Sequence, residues 1–84
     1  MPLLTRFNGI VVRMYFCGSE HNPPQIHALF GGSNAIFDIE TGTILAGVFP
    51  VKASALVKAW MKKKKNELLD MWETQEFKKI NPLT

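Results

Sequence analysis

The chain has 84 residues, the length of a single domain and too short for two separate hydrophobic cores. Hydrophobic residues make up 46% and charged residues 20%, a balance that excludes an intrinsically disordered chain. The single cysteine excludes an internal disulfide and fits a cytoplasmic location. No apolar run approaches the ~20 residues of a membrane span and the opening residues lack the apolar stretch of a signal peptide, so we expect no membrane partner.

The net charge of +3 is spread unevenly along the chain. Residues 1–51 carry two arginines against three acidic residues, whereas residues 52–84 carry eight lysines against four acidic residues. A basic half of this kind is typical of a surface that contacts nucleic acid or an acidic partner.

Alternating hydrophobicity predicts β-strands in the first half of the sequence. Apolar residues recur at every second position in four stretches, residues 10–16, 25–30, 35–40 and 43–49. Glycines and prolines separate these stretches and predict turns at residues 18–24, 31–34 and 41–42. Short connections between consecutive strands favour an antiparallel sheet.

The second half predicts a helical segment. From Lys52 onward the chain is rich in Ala, Leu, Lys and Met, with no glycine or proline before Pro82. We therefore predict one α+β domain over residues 1–84, with a small antiparallel sheet of about four strands (1–50) packed against a C-terminal helical segment (51–84).

The apolar stripe of the helical segment changes direction midway. Residues between Ala53 and Trp60 centre on one side, and apolar residues between Met61 and Trp72 centre about 70–80° further round. This rotation predicts a bend or break at residues 63–66, giving one bent helix or two helices. The alternative is a straight helix whose far end packs on a partner subunit.

The predicted sheet is apolar on both faces. Val11, Tyr15 and Leu29 lie on the face opposite the main apolar pattern. One helical segment covers only one face, so we expect a protein partner or a twofold homodimer on the other.

The loop and second strand carry a recognisable motif. Glu20-His21-Asn22-Pro23-Pro24-Gln25-Ile26-His27-Ala28, followed by Phe30-Gly31-Gly32, resembles a small prokaryotic family known as domain of unknown function 4160. Further similar stretches are Thr5–Ile10, Met14–Phe16, Gly47–Pro50, Trp60, Glu67-Leu68, Trp72 and Ile80–Leu83. Gln25 stands where the family usually has the first histidine of its His-x-His motif. The resemblance implies no established activity, but it implies a partner in a toxin–antitoxin-like pair.

Two histidines are candidates for acid–base catalysis. His27 would transfer protons near pH 7 if His21 or Glu67 lay within reach, as in a small ribonuclease-type or metal-dependent hydrolytic enzyme. A packed, structural His27 and a solvated His21 are the alternative. The spacing of Cys17, Glu20 and the histidines matches no metal-binding motif, and no nucleotide-binding fingerprint is present, so we assign no metal and no cofactor.

The lysines of the helical segment are the candidates for binding nucleic acid. Lys58, Lys62 and Lys65 share one side of the helix and suit contacts with phosphates. The alternative is a solvated lysine-rich turn in which Lys64 extends over apolar surface. The expected function is a small interaction module, with the enzyme as the alternative.

Overall fold

The computed structural model describes residues 3–14 and 24–74. The elements in chain order are β1 (Leu3–Phe7), β2 (Ile10–Arg13), β3 (Gln25–Phe30), β4 (Ser33–Asp38), β5 (Ile44–Val48) and α1 (Val51–Thr74). The strands form one antiparallel sheet in the order β1-β2-β3-β4-β5. The predicted α+β class and antiparallel sheet are confirmed, with five strands instead of four.

The additional strand is β1, which pairs with β2 through a tight turn at Asn8 and Gly9. Both turn residues have positive φ, 49° for Asn8 and 77° for Gly9. Asn-Gly is the strongest short-range signal for a two-residue hairpin, because both residues tolerate this backbone. β1 was not predicted, because the alternating apolar pattern that predicted the first strand begins only after Gly9.

The predicted strand boundaries shift by a few residues. The strand at 25–30 matches β3, whereas β4 starts at Ser33 because Gly31 and Gly32 alone form the turn and Phe30 pairs with Ser33. Tyr15 and Phe16, at the end of the first predicted strand, lie outside the described residues.

The predicted break in the helical segment is wrong. α1 runs without interruption through residues 63–66, and no glycine or proline occurs within it. Met61 and Leu68 are seven residues apart, which is nearly two full turns, so both reach the same core. Lys64 lies between them in sequence and is half-buried, because the aliphatic part of a lysine side chain can lie along apolar surface while its charge stays in water.

One hydrophobic core joins the helix to one face of the sheet. Trp60 is fully buried, and its ring centroid lies 6.1 Å from that of Phe7. Ile26, Ala28 and Phe37 contribute to the same cluster from the sheet. Trp60 is thus the largest side chain of this core, and Trp72 packs half-buried at its margin. Among the described residues, no helix has the length and hydrophobicity required to cross a membrane.

Candidate functional site

His27 lies at the centre of the sheet face that α1 does not cover. Its neighbours in β3, Ile26 and Ala28, are buried in the core, so strand alternation directs His27 to the opposite face. It is directly opposite Arg13 of β2 and Ile36 of β4. The side chain is half-buried, and its Nδ1 atom is buried with no hydrogen bond, although the residue does interact elsewhere.

The structure does not bring His27 and Glu67 together. Glu67 is exposed on α1, which packs on the other face of the sheet. Contact between Glu67 and His27 would require α1 to cover the face of the sheet that carries His27. The helix covers the other face. His21, Glu20 and Cys17 lie outside the described residues. Within the described residues, no three His, Cys, Asp or Glu side chains converge as a metal site would require.

We define the open face as two rows of residues that cross all five strands on the side of His27. The strand register aligns the first row as Arg6, Val11, Leu29, Asn34 and Val48. The second row is Leu3, Arg13, His27, Ile36 and Ala46. Both rows combine apolar side chains with cations and contain no carboxylate. Val11, Leu29 and Ile36 are therefore on the face where the sequence placed an uncovered apolar surface.

The three candidate lysines line one depression. Lys58, Lys62 and Lys65 are exposed, and together with the β4–β5 turn they enclose a volume of about 340 Å³. Their spacing of four and three residues keeps them on one side of α1. We call this depression the lysine pocket. Helical spacing accounts for the grouping of the three lysines, but the turn opposite them was not predictable from that spacing.

Hydrogen bonds hold the turn that faces these lysines. The Asp38 carboxylate accepts hydrogen bonds from the backbone amides of Glu40 (2.8 Å) and Thr41 (3.3 Å). Lys65 Nζ donates to the Glu40 carbonyl oxygen at 3.2 Å and so links the helix to the turn. Glu40 is also in the lining, so the pocket carries three cations against one carboxylate. The lining therefore has an excess of positive charge.

The edge position of β5 is the feature that the sequence pattern did not indicate. Among the described residues β5 pairs only with β4, and all five of its residues are exposed. Ile44 is 37% exposed, Leu45 45% and Val48 81%. The alternation of β5 indicated a strand, but only the strand order shows that it lies at the edge.

The fold and these surfaces define a class of small α+β domain, a five-stranded antiparallel meander covered on one face by a single C-terminal helix. The family model for the domain of unknown function DUF4160 matches residues 9–73, so the chain belongs to this family, as the resemblance suggested. No curated protein and no solved structure matches the chain.

Proposed function

We propose that the domain is a small interaction module that binds a protein partner through the open face, as one member of a toxin–antitoxin-like or regulatory pair. The observation that carries the proposal is the composition of this face. Its centre bears Val11, Leu29 and Ile36, which are half-buried, and no helix or strand among the described residues packs over them. Apolar side chains grouped on a surface are typical of a binding site.

The charges of the open face determine what kind of partner fits. Arg6 and Arg13 lie in its two rows, and neither row contains an acidic residue. Electrostatic complementarity then favours a partner with carboxylates around an apolar patch. We place this pair in the cytoplasm. The lone cysteine forms no internal disulfide, which fits a reducing compartment.

Co-expression with the product of the neighbouring gene tests this proposal. We expect the two proteins to co-purify, and we expect Leu29→Lys and Arg6→Glu each to weaken the complex at least about tenfold. Ala59→Lys and Lys63→Glu make the same charge changes at exposed positions of α1 and serve as controls. Circular dichroism verifies that every variant is folded. Equal binding by the open-face and control variants would refute the assignment of this surface.

Binding to the backbone of nucleic acid is a second candidate function, favoured by the lysine pocket. Three lysines around one depression suit the phosphates of a nucleic-acid backbone rather than a base edge. The pocket lies on α1 and the β4–β5 turn, apart from the two rows of the open face. A nucleic acid and a protein partner would therefore use different surfaces.

A small ribonuclease-type enzyme is the alternative function, with His27 as the proton-transferring group and His21 as its candidate partner. One observation supports it: Arg13 is directly opposite His27, where a guanidinium would hold a phosphate. Incubation of RNA with wild-type and His27→Ala protein, with and without divalent metal, tests this function. Cleavage by wild type and loss of cleavage in a folded variant would support the enzyme. Equal results for both proteins would exclude His27 from catalysis.

A further inference from the structure

We propose that a cleft at the start of α1 binds a small aliphatic carboxylate, with the hydrocarbon part of the ligand against apolar walls and its carboxylate beside Lys52. The cleft has a volume of about 410 Å³ and lies between the β1–β2 turn, one end of β2 and β3, and the first two turns of α1. This volume is in the range of binding sites for small organic molecules. We call it the apolar cleft. It shares no residue with the two rows of the open face or with the lysine pocket, so this site is additional to those of the proposed function.

Apolar side chains form the inner part of the apolar cleft. Ile10 is fully buried, Ala53 is buried and Leu56 is half-buried. Phe30 is 36% exposed along the same cleft, and its ring centroid lies 6.3 Å from that of Phe49. A hydrocarbon in the cleft would remove these surfaces from water, which is favourable in proportion to the apolar area buried. The inner part of the cleft therefore suits the apolar part of a ligand.

The charge at the apolar cleft determines which kind of apolar ligand fits. Among the described residues that line it, Lys52 is the only charged one, and it is exposed in the first turn of α1. The described lining contains no carboxylate to balance this charge. Charge complementarity therefore favours a ligand whose polar end is an anion.

The backbone at the start of α1 has the same preference. The Ser54 amide donates to the carbonyl oxygen of Pro50 at 2.8 Å, which is the first hydrogen bond of the helix. The amides of residues 51–53 precede it and have no acceptor within the helix. Pro50 occupies the position from which a serine, aspartate or asparagine usually accepts from them, and its side chain has no oxygen. The first turn also has no acidic residue, although the helix dipole favours one there. An anionic ligand would supply this missing charge.

The small number of polar groups in the apolar cleft distinguishes among anions. Asn8 and Lys52 are the only polar side chains among its described lining residues. A nucleotide or a peptide would bring several hydroxyl or amide groups into the cleft, and each costs free energy if it is buried without a hydrogen-bond partner. An aliphatic carboxylate has its polar atoms at one end only. This class of ligand therefore matches both the apolar walls and the positive charge.

Titration of the full isotope-labelled chain with sodium octanoate, followed by nuclear magnetic resonance, tests the site. We expect saturable shifts of the amide signals of residues 51–53 and of Phe30. Octanamide lacks the charge and acetate lacks the hydrocarbon, so each should bind at least about tenfold more weakly than octanoate. Shifts that do not saturate, that lie elsewhere in the chain, or that octanamide produces at equal concentrations would overturn the proposal.

Matched substitutions at the start of α1 test the role of charge. Val51 lines the apolar cleft and is 85% exposed. Val51→Asp places a carboxylate in the first turn and should weaken octanoate binding about tenfold relative to Val51→Asn, which has nearly the same shape without the charge. Lys52→Glu should also weaken binding, whereas Lys63→Glu makes the same charge change outside the cleft and should not. Circular dichroism verifies that every variant is folded. Equal affinities within either pair of variants would overturn the proposal.

Discussion

Gly47 has a backbone conformation that other residues rarely adopt. Its φ is +88°, and a Cβ atom built on it would lie 2.4 Å from the backbone oxygen of Asn34. Both the positive φ and the contact with backbone disfavour any side chain, because a backbone oxygen in a paired strand cannot easily move. The glycine allows β5 to lie against β4.

We therefore predict that Gly47→Ala lowers the free energy of unfolding by about 2–3 kcal/mol. Urea denaturation followed by circular dichroism measures this loss. Gly32→Ala is the matched control, since no atom lies within 4 Å of the Cβ it would gain and its φ is not in the left-handed region. That control should change stability by less than about 0.5 kcal/mol. Equal midpoints for the two variants would contradict the steric explanation.

His27 illustrates what a local pattern predicts and what it leaves open. The alternation of β3 correctly separated His27 from Ile26 and Ala28. The neighbour opposite it, Arg13, depends on the pairing of β2 with β3. Glu67 was a candidate only if the helix covered the same face, and no local rule determines which face a helix covers.

At the scale of elements, α1 presents two different faces. The core face carries apolar residues such as Val57, Trp60 and Leu68, and another side carries the lysines of the pocket. The rotation of the apolar stripe suggested a break, but α1 remains continuous because Ala, Leu, Lys, Met and Glu dominate it and it contains no glycine or proline. Lys64, between the apolar residues of the first and second halves of α1, is half-buried and keeps the helical backbone.

The lysine pocket predicts a specific dependence of nucleic-acid binding on salt. If Lys58, Lys62 and Lys65 each contact a phosphate of duplex DNA, replacing all three by alanine reduces the slope of log K against log salt by about 2.7. Fluorescence anisotropy at several salt concentrations measures the slope. Single replacement of Lys63, which does not line the pocket, should alter it much less. An unchanged slope in the triple variant would show that phosphates bind elsewhere.

At the scale of the whole molecule, the sheet and the helix depend on one core. Residues from β1 to β4 and from α1 belong to the same buried cluster, so neither part retains an apolar core without the other. A chain of this length forms only a small core, and its stability is correspondingly modest. The helical and sheet parts are therefore expected to unfold together.

We predict coincident unfolding curves from two probes. Far-ultraviolet circular dichroism reports mainly on α1, and tryptophan fluorescence reports on Trp60 and Trp72 at the contact with the sheet. Both should give the same midpoint in urea when measured at one protein concentration. Separate midpoints would mean that the helix unfolds independently of the sheet.

The sequence by itself determined the type and approximate position of most elements. Apolar periods of two and of 3.6 residues are local properties, so β3 and the helical character of α1 could be predicted from the neighbouring residues alone. The Asn8-Gly9 signal for the turn after β1 is also local.

Only the tertiary structure decided which surfaces those elements form. It placed α1 on the face of Ile26, left His27 beside Arg13, set the β4–β5 turn opposite the lysines and put β5 at the edge. Each of these relations joins residues that are distant in the chain. They depend on how all the elements together bury one core, and a local period contains no information about that choice.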